Sequence, residues 1–557
     1  MTAADFNNFF INSVEDISSS IPPSTTSYNS YVTKVHSPNL NLEKNDQSKM
    51  FSFVDFKVED VFKAINSLSN SKCLDIYGIN APMLKLASSK VCEVLAYLFN
   101  ECIKNGSFPD KLKLTKVLPV HKKGPKENFA NYRPISIVPV LGKVFERLVH
   151  NQIVTYLEKN NLFSASQFGF RTNHCTTEAV QSLISSLYRG LEANNKVFFR
   201  SFDMSKAFDT VSHRILVDKM SFYNFSNVTV QFFESYLSSR WQYVFLNGKY
   251  STPKMVKHGV PQGSILGPTL FILYINDLPV NVNNAHANCY LFADDIGLSV
   301  HGSTALVDNL VLLKNEQISD WCNANMLKLN TQKTQDLDIC FDSKNKSVSS
   351  LKFLGINLQS NLKWQTHVDS VASKVSRGLF TLRVLKQSVS IQVMLCVYYA
   401  HVNSHLAYGT ALWAHSGYAE KLFILQKRAV RIICGVSPKT HCRPYFVRLG
   451  ILTLPSMYVF SVLLYIRSNL SSFNVMSDVH GHNTRHKSNL VLNRCKFAVT
   501  HASYYHQGVL LFNLLPETVR LLPLNAFKNV IKKFLINACL YKIDEFREHV
   551  ACFNLLD

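Results

Sequence analysis

The feature that most restricts this chain is Tyr290-Leu291-Phe292-Ala293-Asp294-Asp295-Ile296, where two adjacent carboxylates stand between short apolar runs. A second stretch, Phe198-Phe199-Arg200-Ser201-Phe202-Asp203, ends an apolar β-type run in one aspartate. An Asp-Asp pair in a turn is commonly just a solvated hairpin tip. Here the flanks on both sides favour burial, which makes two charges costly unless a cation compensates. Paired strands lie about 4.8 Å apart, so a strand ending in Asp203 beside a hairpin carrying Asp294 and Asp295 brings three acids to one point. Two-metal phosphoryl-transfer sites hold ions roughly 3.5–4 Å apart and need such bridging acids. The pattern implies template-directed nucleotide polymerisation. Asp203, Asp294 and Asp295 are the expected catalytic and metal-holding residues, and two Mg2+ ions (Mn2+ as a substitute) the expected cofactors.

Length and charge agree with a large nucleic-acid enzyme. The 557 residues are 47% apolar and 17% charged, enough for several domains with real cores. Lys and Arg number 59 against 38 Asp and Glu, a net charge of +21 that points to a polyanionic partner. The apolar runs, such as Val459 to Ile466, fall short of the roughly 18–20 residues of a membrane span, so no membrane is expected. The start, Met1-Thr2-Ala3-Ala4-Asp5-Phe6, lacks the basic-then-apolar pattern of a secretory signal. Thirteen cysteines without a Cys-x-x-Cys pair argue against a disulfide framework and a zinc knuckle, and suit a reducing, intracellular setting.

Along the chain, residues 1–50 are rich in Ser, Asn and Thr and read as a flexible segment. Val58, Val61, Phe62, Ile65 and Leu68 recur at helical spacing. Asn70 to Gly78 breaks that helix, and a second runs from about Pro82 to Asn105, giving a helical region over 51–110. Residues 111–147 turn basic, with nine Lys or Arg against Glu127 and Glu146. Strand-like Val117-Leu118-Pro119-Val120 there leads to the turn signal Lys123-Gly124-Pro125. From about 196 to 358 short β-rich runs alternate with helical stretches, and beyond Trp364 the pattern is largely helical. A second basic block, 421–448, has seven Lys or Arg and no acid.

Four further segments bear on chemistry. Five residues after Asp203 stands Phe208, at the start of a helix. In a polymerase it would lie under the incoming sugar and crowd a 2′-hydroxyl; the plainer reading is a capping Asp and a core Phe. His258 to Pro268 packs two prolines and three glycines into an irregular backbone that runs into the apolar stretch Thr269 to Ile275. Gln262, held there, would face the nucleotide or the templating base. Lys333 would sit near the leaving pyrophosphate, where a cation stabilises developing charge; the plainer reading is a surface lysine. Phe353 to Leu358 reads as a strand with Gly355 at a close approach.

Taken in this order, the segments resemble the reverse transcriptases of non-LTR (LINE-type) retrotransposons, the jockey-like groups in particular. The likeness covers roughly residues 50–540 and is densest over 110–370. Asn131-Tyr132-Arg133-Pro134-Ile135-Ser136 and Gln167-Phe168-Gly169-Phe170-Arg171 resemble the fingers motifs. Phe202–Val211 resembles motif A, Gly259–Pro268 motif B, Phe292–Asp295 motif C, Lys328–Thr334 motif D and Phe353–Trp364 motif E.

The resemblance implies an α+β right-hand polymerase, with fingers, a palm built on an antiparallel sheet, a helical thumb and a mostly helical C-terminal region. The expected divisions are fingers and palm over 111–358, thumb over 359–450 and a tail of unassigned role over 451–557. It implies that Asp203, Asp294 and Asp295 are the metal triad and Phe208 the sugar gate, with Gln262 and Gly263 beside the nucleotide. Arg133 and Lys143 are triphosphate contacts by position, with Lys333, and Phe353, Leu354 and Gly355 form the primer grip. Tyr398 to His401, His405 to Gly409 and Lys427 to Arg431 carry the thumb likeness; Asn483-Thr484-Arg485 and Leu514-Leu515-Pro516 extend it into the tail. The implied partners are an RNA template, a DNA primer and deoxynucleoside triphosphates, with action in the nucleus or cytoplasm. Elements of this type usually carry an endonuclease ahead of the polymerase, and this chain begins where that domain would end, so it is expected not to nick its own target. The fingers motif also departs from the pattern in having Cys175 after His174 and Asn173 before it.

Rival readings make distinct demands. An RNA-templated RNA polymerase calls for Gly-Asp-Asp at the turn and a second Asp in place of Phe208, neither of which is found. A remnant that only binds RNA would be marked by a lost carboxylate, yet all three acids are present. A helical scaffold accounts for the tail but not for the acids.

Overall fold

The computed structural model describes residues 1–32, 50–339, 348–479 and 487–551. Asn483-Thr484-Arg485 lie outside the described residues. Two sheets organise the middle of the chain. In the first, β1 (Leu114–His121) pairs antiparallel with β2 (Tyr132–Ile137) and parallel with β4 (Arg240–Leu246). Pro119 and Pro134 face each other in the β1–β2 register, and the β1–β4 pairing has ended by Val117, so neither missing N–H breaks the ladder. The short strands β5 (Lys249–Tyr250) and β6 (Lys254–Val256) complete this sheet against β4.

The second sheet has the order β7-β8-β3-β9, built from β3 (Lys196–Phe202), β7 (Ala287–Phe292), β8 (Asp295–Gly302) and β9 (Gln335–Ile339). Its inner strands are apolar and buried along most of their length, Val197 to Phe199 in β3 and Ile296 to Val300 in β8. That explains why their sequences run apolar instead of alternating. Asp203 follows β3 directly, Asp295 opens β8, and β3 and β8 are neighbours.

Two expectations need correction here. Residues 353–358 are not one strand: β10 (Ser350–Phe353) and β11 (Ile356–Gln359) form an antiparallel hairpin. Leu354 and Gly355 make its two-residue turn, both with positive φ (+45° and +83°), the conformation that lets a tight turn follow the twist of its strands. The close approach expected at Gly355 is real, since the Tyr408 ring lies 3.4 Å from where a Cβ would stand and its hydroxyl donates to the Leu354 carbonyl.

The second correction concerns the N-terminal segment, where the described residues 1–32 carry two helices. Ala3–Ser19 is a helix, opened by a capping box between Thr2 and Asp5, and Tyr28–Val32 is a short one. Its polar composition hides an aromatic stripe: Phe6 and Phe10 are buried with Val117 and Val244, and Phe6 meets the rings of Phe129 at 5.0 Å and Tyr132 at 4.8 Å. The helix's polar edge is tied down as well. Gln242 donates to Asn7 (2.8 Å), Lys206 to Ser13, and Lys328 to Ser20 (2.8 Å), while Lys257 pairs with Glu15 (3.0 Å).

The expected early helices form as Val58–Ser67 and Ala81–Lys104, the latter capped by Asn80 on the Met83 N–H (3.0 Å). The break between them has its own task. Asp75 accepts from Tyr77 and Ile79 within the loop, and from the Val140 N–H (2.9 Å) at the start of helix Val140–Lys159.

The chain divides into two compact units, one of Met1–Ala179, Arg200–Val300 and Ala305–Gln335, the other of Val180–Phe199, His301–Thr304 and Asp336–Asp557. The expected boundaries near 358 and 450 are therefore not unit boundaries. In the second unit, helix Leu454–Ser468 packs on both Tyr504–Leu514 and Leu524–Ala538. Buried Gln426, from helix Glu420–Cys434, donates to the Leu452 carbonyl (2.9 Å) and accepts from the Leu454 N–H (2.8 Å). Residues 359–450 and 451–557 thus share one core. Among the described residues no single helix is long and apolar enough to cross a membrane, although Arg443–Leu449 and Leu454–Ser468, bent by 52°, reach that length and composition as a pair.

Candidate active site

The first unit gathers three acids around the β7–β8 turn. Phe292 and Asp295 face each other in the hairpin register, leaving Ala293 and Asp294 as the turn, with Ala293 at φ +54°. The acids feel one another. The Asp294 carboxyl is raised above the ordinary carboxylate range, first by burial and then by Asp203, with Arg133 and Lys122 opposing. Asp295 is pushed up to about 6 by desolvation, then by Asp294 and Asp203, with Lys122 opposing, although the residue as a whole is exposed. Asp203 is about one-third exposed, and its Oδ2 lies 2.8 Å from the Lys333 ammonium.

Lys333 comes from a segment laid along Asp203. The Ser205 N–H donates to the Lys328 carbonyl (2.8 Å) and the Asn330 N–H to the Asp203 carbonyl (2.7 Å). Arg133, the exposed residue of half-buried β2, also acts on Asp294. Lys122 was legible in the sequence only as one of nine basic residues. Here burial, then Arg133, Lys333 and Lys123, lower its pKa, while Asp203 opposes. Three acids and three cations thus share one electrostatic neighbourhood. Lys143 stands half-buried in the first turn of helix Val140–Lys159.

A brace not foreseen from the sequence holds the turn. The segment Ser166–Phe168 runs beside β7, with the Phe168 N–H donating to the Leu291 carbonyl and the Leu291 N–H to the Ser166 carbonyl, both at 2.8 Å. The fully buried Gln167 accepts at Oε1 from the Gly169 N–H (2.8 Å) and the Ala293 N–H (3.3 Å). Backbones touch here: a Cβ on Gly169 would fall 2.4 Å from the Ala293 nitrogen. Arg171 forks onto Glu158 (3.1 and 2.8 Å) and donates to the Ser164 carbonyl (3.0 Å). The only sequence signal for this arrangement is the Gln-Phe-Gly-Phe-Arg run itself.

The loop before helix Leu266–Tyr274 is fixed in the same manner. The Ser136 N–H donates to the Gln262 carbonyl (2.8 Å), and Gly263 sits at φ +130° with its missing Cβ 2.3 Å from the Ser136 oxygen. Any side chain there would push the loop off β2. The Gln262 Nε2 donates to Asp209 Oδ1 (2.8 Å), so an acid six residues after Asp203 aims that carboxamide. Desolvation pushes Asp209 up to about 6 against the opposing pull of Gln262 and Lys206. Buried Glu146 accepts from the Ile265 N–H (2.6 Å) and the Tyr236 hydroxyl (2.9 Å), anchoring the start of the helix. Phe208 stacks on Phe271 with ring centroids 4.3 Å apart and meets Phe170 edge-on at 6.2 Å.

Phe353, Leu354 and Gly355 belong to the β10–β11 hairpin of the second unit, where Phe353 meets Phe199 edge-on at 5.2 Å.

The acids suit hard divalent cations. All three donors are carboxylates, the set preferred by Mg2+ and Mn2+. Burial and neighbouring negative charge raise the pKa of Asp294 and Asp295, which marks a local excess of negative charge, and Asp203 is paired with the Lys333 ammonium.

Residues 120–358 match the family described as reverse transcriptase (RNA-dependent DNA polymerase). Three Drosophila melanogaster proteins are similar over much of the chain. The probable RNA-directed DNA polymerase from transposon BS is 31% identical over 70% of this chain and 45% of its own length. The corresponding protein from transposon X-element is 27% identical over 68% and 44%. The RNA-directed DNA polymerase from mobile element jockey is 26% identical over 63% and 41%. The chain spans less than half the length of these relatives.

Proposed function

Because residues 120–358 belong to the reverse transcriptase family, we propose that this chain is an RNA-directed DNA polymerase of a non-LTR retrotransposon, extending a primer 3′-hydroxyl on an RNA template. The observation that carries the proposal is the gathering of Asp203, Asp294 and Asp295, from neighbouring strands, in one group where burial first, and then the acids' own charges, raise the pKa of Asp294 and Asp295. In this reading residues 111–358 supply fingers and palm, and helices beyond Trp364 supply the thumb.

Asp203, Asp294 and Asp295 would hold two Mg2+ ions, which when bound activate the primer hydroxyl and neutralise the triphosphate. The chain's own residues do the positioning. Lys122, Arg133 and Lys333 present positive charge to the triphosphate and stabilise the leaving pyrophosphate. Lys333, paired with Asp203 at 2.8 Å, would turn from that carboxylate to the triphosphate in this role. Phe208, stiffened by Phe271, crowds a 2′-hydroxyl and favours deoxynucleotides. Gln262, aimed by Asp209, meets the nucleotide, and Gly263 keeps the loop low enough to leave room for it. Phe353, Leu354 and Gly355, in a tight turn, hold the primer end.

Extension of an oligo-dT primer on poly-rA with Mg2+ and labelled deoxynucleotide tests the reading, with wild type beside Asp294→Ala. Wild type is expected to incorporate label and the variant to lose nearly all of it. Equal signal from both would leave RNA binding without synthesis as the better account.

A further inference from the structure

A second group of ligand-type side chains lies outside the polymerase site, in the second unit. Cys495 and His501 come from the segment before helix Tyr504–Leu514, and His506 from that helix's first turn. Cys495 Sγ stands 3.3 Å from His506 Nδ1, and His501 Nδ1 stands 3.4 Å from His506 Nε2. One donor atom from each residue lies within 4.8 Å of the others, and among the described residues this is the one set of three or more of which that holds. His506 is buried, Cys495 half-buried and His501 exposed, so the group is open to solvent on the His501 side.

The backbone carrying these residues is held firmly. Glu192 accepts from the N–H groups of Lys496 (2.7 Å) and Phe497 (3.2 Å), immediately after Cys495. Gln507 donates to the His501 carbonyl (2.8 Å), and Ser503 caps the helix on the His506 N–H (3.3 Å). Buried Tyr504 donates to the Gln181 carbonyl (3.0 Å).

One thiol and two imidazoles form a borderline-soft donor set that suits zinc, whereas hard oxygen ligands suit magnesium. With Zn–S of about 2.3 Å and Zn–N of about 2.0–2.1 Å, tetrahedral ligand atoms stand roughly 3.3–3.6 Å apart, the range of the two short contacts. Those contacts use different nitrogens of His506. An ion takes one of them, and a side-chain rotation of Cys495 or His501 completes the set. Such an ion would cross-link the 495–501 segment to the helix at a place where no other covalent or ionic tie joins these three side chains.

We propose that Cys495, His501 and His506 bind one zinc-class divalent ion, with water as the fourth ligand. On binding, the Cys495 thiol loses its proton to solvent and ligates as thiolate. The test titrates the full chain, stripped with a chelator, with Co2+ and then Zn2+. With millimolar Mg2+ present to occupy the acids, wild type is expected to take up one equivalent with a thiolate-to-cobalt charge-transfer band and tetrahedral visible absorption, both displaced by Zn2+, which also raises Tm. Cys495→Ser is expected to lose the band, and the exposed-site variant His501→Asn, whose fold is least at risk, to lose stoichiometric uptake. With thirteen cysteines in the chain, dependence on Cys495 decides the matter. A band unchanged in Cys495→Ser, or no stoichiometric uptake by wild type, would overturn the site and leave a hydrogen-bonded Cys–His–His chain.

Discussion

At the scale of single residues, the polymerase site depends on side chains that never touch a substrate. Gln167 satisfies two buried N–H groups, one of them on the turn that carries Asp294. Gln167→Leu strands both donors, and each buried unsatisfied group costs about 1–3 kcal/mol. Urea denaturation is expected to show a loss of that order, and primer extension a fall in rate; an unchanged midpoint would deny the brace.

The raised carboxyls set a pH dependence. Asp209 and Asp295, both pushed up to about 6, ionise less readily folded than unfolded. Well below pH 4 both states are protonated and no penalty exists; the penalty grows as pH rises past the unfolded value near 4 and is complete above about 6. The stability of wild type relative to Asp209→Asn is therefore expected to fall between about pH 4 and 6. Denaturation across that window reads it, and a flat difference would contradict the assignment. Primer extension should rise through the same window, as the coupled acids become free to hold cations.

At the scale of elements, the informative case is the helix Ala3–Ser19. A Ser- and Asn-rich N-terminus suggests disorder, yet Phe6 and Phe10 sit one helical turn apart and fill a gap over Val117 and Val244. Truncating a buried Phe to Ala typically costs about 3–5 kcal/mol. Phe6→Ala is expected to lower the thermal midpoint by several degrees and to expose the helix to proteolysis; a variant as stable and resistant as wild type would show that the docking is incidental. Because the helix's polar edge also contacts Lys206, Lys257 and Lys328, its loss should disturb the segments that follow Asp203 and precede Lys333.

At the scale of the molecule, the +21 net charge governs how nucleic acid is held. Affinity through phosphate contacts falls linearly in log–log terms with salt and carries little sequence preference. Binding of an RNA–DNA hybrid is expected to weaken by orders of magnitude from low to moderate salt, and equally for unrelated sequences. Fluorescence anisotropy at several salt concentrations would show this, and a shallow or sequence-dependent slope would argue for base recognition instead.

The amino-acid order alone determined the strand–acid and strand–turn–acid–acid pattern, the Pro/Gly loop before its helix, and the helical character beyond Trp364. Each of these is written in local periodicity and turn chemistry, within a dozen residues. Tertiary structure alone decided that Gln167 holds a turn 126 positions away, that Glu146 anchors Ile265 across 119, and that Asp209 aims Gln262 across 53. It also decided that an N-terminal aromatic stripe has a surface to cover. Such pairings leave no local trace, because a buried polar side chain looks the same in a sequence whether its partner is water or a distant backbone N–H.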